Sequence, residues 1–317
     1  MIKSITVRTY LNDEITLELA RPELSGFIVK SVDGLGPAKA NINVTDISTN
    51  DGGIFNSSRL DKRNIVIELG FLEGRTYLLN GKNHYETIED VRQNTYKYFP
   101  IKKKVHLTVV TDNHTLGIDG YVESNEPDIF SQNEGCSISI ICPDPFFYSE
   151  ENYETSFNSV EAAFEFPFSN DSTTDSLLLM GIMGNNTEKV IVYEGTSDIG
   201  MTMEFYALGE VTTNITITNT TTKETMRIDA DKLKTLMDAE KAIIAGDTII
   251  INTTKGDKSI TLIRDGVATN ILNCVDRDSK WFTLQKGDNI FSYAVDPGSE
   301  VTNLQCYVMN KVAYDGV

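Results

Sequence analysis

Seven residues of this 317-residue chain have side chains that commonly do chemistry near neutral pH: Cys136, Cys142, Cys274, Cys306, His84, His106 and His114. A cysteine attacks as the thiolate, which needs a base or an electropositive site beside it. Cys136 and Cys142 bound the run CSISIIC. In a strand, side chains alternate with period two, so both thiols share the face of Ile138 and Ile140. They then lie about 20 Å apart, too far for a disulfide, and buried reduced thiols are the expectation. A Cys142–His106 pair can be drawn, but the apolar face of the cysteine argues for burial. The histidines fall at an expected helix start, on a strand and in the turn TDNHTLGIDG, none with metal-ligand spacing to a second His or Cys. The chain has no CxxC pair and no GxSxG nucleophile elbow. Gly256-Asp257-Lys258-Ser259 echoes the end of a phosphate loop, but it lacks the upstream glycine and stands between two strands, so it reads as a hairpin turn. Asp46, Ser48, Asn50 and Asp51 suggest a calcium loop without its central glycine and closing glutamate. The residues thus offer no enzyme active site, no metal site and no cofactor site. Trp281, the one tryptophan, is the candidate for stacking on a sugar ring. The alternative for Trp281 or Phe282 is to fill a core, the usual fate of an aromatic in an alternating strand.

Net charge is −18, from 46 acidic and 28 basic residues, which argues against a surface that grips nucleic-acid phosphates. It is compatible with a surface that DNA passes without sticking. Lys102-Lys103-Lys104 opens an expected strand, where its members alternate between faces instead of forming a patch. Apolar runs are far shorter than the roughly 20 residues that span a bilayer, so membrane insertion is not expected. The first residues, MIKSITVRTYLNDEITLEL, alternate as a strand and lack the apolar stretch of a secretion signal. The expectation is a chain whose work starts in the cytoplasm of the cell that makes it.

These residues sit on a chain whose dominant period is two. Ile65, Ile67 and Leu69 alternate with Val66 and Glu68; Val105, Leu107 and Val109 alternate with His106 and Thr108. Turn signals such as Asn80-Gly81, Asp119-Gly120 and Asp265-Gly266 punctuate the runs. The pattern predicts a mainly β protein built of antiparallel sandwiches or barrels. Two helices are expected, over residues 84–99, stopped by Pro100, and over residues 229–243. Residues 33–58 are rich in Gly, Asn, Asp and Thr, and read either as a flexible excursion or as an arm reaching a neighbouring molecule. A break at ICPDPFFYSE divides the chain into a first domain, residues 1–145, and a second, residues 146–317. Pro143 and Pro145 stop the strand by denying donors. Phe146, Phe147 and Tyr148 then read as the packing of an inter-domain joint.

Several stretches in order carry a family resemblance: IVKSVDGLGPAKANINVT, GIFNSSRLDKRNIVIEL, YETIEDVRQNTYKYFPIKKKVHLTV, IDGYVESNEPDIFSQNEGCSISIICPDPFFY and GDTIIINTTKGDKSITL with SKWFTLQKGDNIFSY. Together they resemble the distal tail (Dit) proteins of siphophage-type tails and phage-derived particles, over nearly the whole chain. The resemblance implies two β-sandwich domains. The first is like the tail-tube fold with one flanking helix, and the second is galectin-like and displayed outside. It implies a homohexameric ring at the virion tail tip, assembled in the host cytoplasm, that joins the tail tube protein to the tail-tip hub protein. DNA only passes through its channel, and receptor-binding proteins dock on it. The loop at 34–58 matches the extended loop of tube-fold proteins, so Asn41, Asn43, Thr45, Asp46 and Asp51 are expected in assembly contacts. Two other readings stand beside it: a lectin-like host-recognition module using Trp281, and the equivalent ring protein of a contractile tail or bacteriocin particle.

Overall fold

The computed structural model describes residues 1–46, 51–74, 76–79, 82–162, 181–185 and 187–317. The chain is mainly β, in antiparallel sheets with two helices, and it divides into two compact units. One comprises Met1–Glu150 and Ala313–Val317, the other Glu151–Val312. The division thus falls five residues after the 145/146 boundary expected from the prolines, and the last five residues belong to the first unit.

The first unit contains β1 (Ile2–Thr9), β2 (Glu14–Glu18), β3 (Phe27–Asp33), β4 (Ala40–Asp46), β5 (Gly53–Leu60), β6 (Arg63–Phe71), β7 (Thr76–Leu79), β8 (Lys82–Tyr85), α1 (Ile88–Tyr98), β9 (Lys104–Thr111), β10 (Thr115–Asp128), β11 (Gly135–Cys142) and β12 (Phe147–Ser149). The main sheet runs β2-β1-β9-β10-β11-β6-β3. β10 makes this sheet wrap its core. Its first half pairs with β9 and its second half with β11, with a register shift between Val122 and Ser124. A bulge at this place bends a long strand and increases its twist. The alternation seen in the sequence is the burial pattern. Val105, Leu107 and Val109 point inward from β9, and Cys136, Ile138, Ile140 and Cys142 from β11. They share one core with Ile5, Val7, Phe27, Ile65, Ile67, Val91 and Phe147.

α1 is shorter than the sequence predicts, because residues 84–85 pair in β8 with β7. Thr87 caps the helix in a reciprocal box with Asp90. Val91 and Thr95 are its buried residues, and Tyr85 and Tyr96 are exposed. The chain then turns through Ile101 and Lys102, the latter at φ 65°, so only Lys104 of the three lysines stands in the strand. The alternation expected of that triplet therefore does not hold.

The second unit contains β13 (Tyr153–Ser156), β14 (Asn158–Ala162), β15 (Gly181–Asn185), β16 (Glu188–Tyr193), β17 (Thr202–Ala207), β18 (Ile215–Asn219), β19 (Glu224–Ile228), α2 (Ala230–Met237), β20 (Thr248–Asn252), β21 (Ser259–Arg264), β22 (Val267–Asn270), β23 (Gly287–Val295) and β24 (Leu304–Asn310). Its two larger sheets run β13-β24-β17-β20-β21-β22 and β16-β23-β18-β19. They meet face to face as a sandwich. Tyr293 of β23 packs edge-on against Phe205 of β17 and against Phe157, and its hydroxyl donates to the Leu304 carbonyl at 3.1 Å. α2 ends earlier than the sequence predicts, because Asp238 takes a left-handed conformation at φ 47°.

Candidate functional site

β4 and β5 pair with each other and not with the main sheet. Every residue of both strands is exposed. Their register sorts the side chains into two unlike faces. Ala40 opposes Leu60, Ile42 opposes Ser58 and Val44 opposes Phe55 on one face; Asn41 opposes Arg59, Asn43 opposes Ser57 and Thr45 opposes Ile54 on the other. The second face is largely polar, tied by Asn56 Nδ2 donating to Thr45 Oγ1 at 2.6 Å. The first is apolar and open to solvent, with Ile42 at 59% and Phe55 at 62% exposure. An isolated two-stranded ribbon is marginal in water, and an amphipathic one needs something to cover its apolar face.

Of the residues expected in assembly contacts, Asn41, Asn43 and Thr45 lie on the polar face, Asp46 is the last residue of β4 and Asp51 precedes β5. Ile42, Val44, Phe55 and Leu60 escaped the sequence reading, although ANINVT already alternates with period two. Of the calcium-loop candidates, Ser48 and Asn50 lie outside the described residues. The ribbon leaves the sheet at Gly34, whose φ of 86° is left-handed and whose Cβ would fall 2.1 Å from the Asn64 carbonyl oxygen; a glycine is required there. At its root lies an open groove of about 840 Å³, lined in part by Pro37, Lys39, Arg59 and Lys62.

The root of the ribbon is fastened by Arg63, which shares the inward parity of Ile65 and is buried. Its Nε donates to the Pro145 carbonyl at 2.7 Å, Nη1 to Gly34 at 2.6 Å and also to Gly36, and Nη2 to Asp315 at 2.5 Å. The guanidinium lies 4.7 Å from the centre of the Phe147 ring. Burial lowers its pKa, opposed by nearby Cys142 and Asp315. Pro143 and Asp144 are exposed and Pro145 and Phe146 half-buried; the Asp144 carboxylate accepts from the Phe146 amide at 3.2 Å and the Tyr148 hydroxyl at 2.7 Å. Phe147 is wholly buried in the core of the first unit, and it pairs with Tyr314 where the chain returns.

The four cysteine thiols are poor nucleophiles. Burial pushes Cys136 and Cys142 up to about 12, and it raises Cys274 and Cys306 as well. His106 sits between two carboxylates, with Nδ1 2.7 Å from Asp119 and Nε2 2.7 Å from Glu150. Lys104 joins Asp119 at 2.9 Å. The Asp119 hydrogen bond is the largest cause of the raised His106 pKa, and the same bond holds Asp119 down to about 2. The cluster is an ion-pair network on the sheet surface. In the second unit Trp281 is half-buried in an irregular stretch, with Lys258 Nζ 5.4 Å from its ring centre. Phe282 beside it fills the core against Phe291.

Residues 208–305 match the family described as siphovirus-type tail component, C-terminal domain. Among solved structures, the chain is similar to the Dit protein (gp 19.1) of phage SPP1, a protein described as a paradigm of the hub adsorption apparatus in phages infecting Gram-positive bacteria. The TM-score is 0.62 at 11% identity, over 98% of both chains. A chain of the phage P2 baseplate in its activated conformation with calcium aligns over 100% of both chains, with a TM-score of 0.49 and 13% identity. No curated protein sequence matches the chain.

Proposed function

We propose, for a chain that carries the siphovirus-type tail component domain within a Dit-like fold, that it forms a ring at the tip of a phage or phage-derived tail. Six copies close the ring through their first units. The ring joins the last layer of the tail tube to the tail-tip hub, receptor-binding proteins dock on it, and DNA passes through its channel. Assembly takes place in the host cytoplasm.

The observation that carries this reading is the β4–β5 ribbon, whose apolar face of Ala40, Ile42, Val44, Phe55 and Leu60 lies open in the single chain. A ribbon on one copy meeting a different surface on the next is a heterologous contact, the kind that generates rings. A net charge of −18 suits a channel wall that must not hold DNA. Negative-stain imaging of the purified protein tests the proposal, and six-fold rings with a central hole are expected. Single copies at the highest attainable concentration, together with tails that assemble normally on a chain lacking residues 40–60, would overturn it.

A further inference from the structure

The first unit has a second exposed apolar surface, at the corner where β1 ends and β9 begins. Tyr10, Leu11, Ile101 and Tyr121 are exposed there at 52%, 65%, 52% and 48%. They surround Lys102 and Lys103, with Lys103 Nζ 5.2 Å from the centre of the Tyr10 ring. Lys104, opposite Tyr121 in the sheet, is engaged with Asp119, whereas Lys102 and Lys103 form no ion pair among the described residues. An aromatic corner with two cations outside any ion pair among the described residues is unusual on a chain of net charge −18.

We infer that this corner receives the β4–β5 ribbon of a second copy of the chain. The inference rests on the ring reading and names the surface that completes it. The two surfaces complement each other in both respects that matter. The ribbon offers Ile42, Val44 and Phe55 on its apolar face, and the corner offers Tyr10, Leu11 and Ile101. The ribbon carries Asp46 at the last position of β4 and Asp51 just before β5, and the corner carries Lys102 and Lys103. Between two strongly acidic copies most surfaces repel, so a cationic corner selects the register in which they meet. A seven-residue strand extends about 23 Å, enough to cross from one copy to its neighbour. Ribbon and corner are different surfaces of one unit, so the contact repeats head to tail.

Charge reversal with rescue tests the pairing, read as the dissociation constant of self-association by sedimentation velocity. Lys102→Glu/Lys103→Glu and Asp46→Lys/Asp51→Lys are each expected to weaken association at least about tenfold. Mixing the two variants, or combining them in one chain, is expected to restore it to within about threefold. Val44→Asp/Phe55→Asp serves as the arm control and is expected to abolish association whatever surface receives the ribbon. All these positions are exposed, and an unchanged far-UV circular dichroism spectrum shows that each variant folds. Loss of association in the arm control with no effect of either reversal would overturn the corner and leave the ring reading intact. Weakening by both reversals without rescue would overturn the direct pairing. A parent protein that stays single at every attainable concentration would overturn the docking, and the ring reading would then be decided by whether tails assemble on the chain lacking residues 40–60.

Discussion

His106 shows how one side chain on a sheet surface can set a pH dependence of stability. Its pKa is raised, first by the hydrogen bond to Asp119, so its contribution to stability is complete below the ordinary 6.5 and is lost as pH rises through the folded value. Asp119 is lowered to about 2, so its contribution is complete above the ordinary 3.8 and is lost as pH falls through about 2. His106→Gln is therefore expected to cost most between 3.8 and 6.5, about 1 kcal/mol. The gap to the parent should narrow toward pH 9, as followed by urea denaturation at each pH. Gly117→Ala should act on the same network, because its Cβ would fall 2.0 Å from Glu150 Oε1 and displace that carboxylate. The expected mark is a lower histidine pKa by NMR titration in a folded chain. Arg63 is a different case, a buried charge on main-chain acceptors. Arg63→Ala leaves carbonyls in three segments without their donor and should cost about 3–5 kcal/mol in denaturant unfolding. Lys would not substitute, since one ammonium cannot reproduce the guanidinium fork.

At the scale of elements, period two proved a faithful guide wherever one strand face is buried. The inward residues of β6, β9 and β11 are those that alternation selects. The same parity places Arg63 with Ile65, so a charge on the core face was readable; its acceptors were not, because they belong to segments distant in sequence. Helix ends were less legible. The start of α1 depends on strand pairing just before it, and the end of α2 on a left-handed aspartate, neither of which periodicity encodes. The stretch that forms the ribbon reads equally as a flexible excursion or an arm; ANINVT shows the alternation of one strand, but the apolar face shared by both strands depends on a bulge between Asn43 and Val44 that only the pairing reveals. The cap of α1 gives a clean test at this scale. Thr87→Ala removes one side of the Thr87–Asp90 box and should lower stability by about 1 kcal/mol, seen as an earlier denaturation midpoint with unchanged slope.

For the whole molecule, the telling feature is that the chain leaves the first unit after Glu150 and re-enters it at Ala313. Exit and entry are adjacent strands, with Phe147 opposite Tyr314 and Tyr148 opposite Ala313. A chain in which a short turn joins Glu150 directly to Ala313 is therefore expected to fold as a free first unit, with a single cooperative transition. A chain ending at Val312 loses the Asp315 carbonyl that Arg63 holds and the strand beside β12. It should unfold at lower temperature in calorimetry, with the loss confined to the first unit. This topology also imposes an order in time during synthesis. The second unit has all its residues once Val312 has left the ribosome, whereas the first, begun earlier, still waits for residues 313–317. The unit that carries the ribbon and its proposed receiving corner is thus the last to be finished, and a nascent chain cannot present a completed copy of it to its neighbours before the second unit has been made.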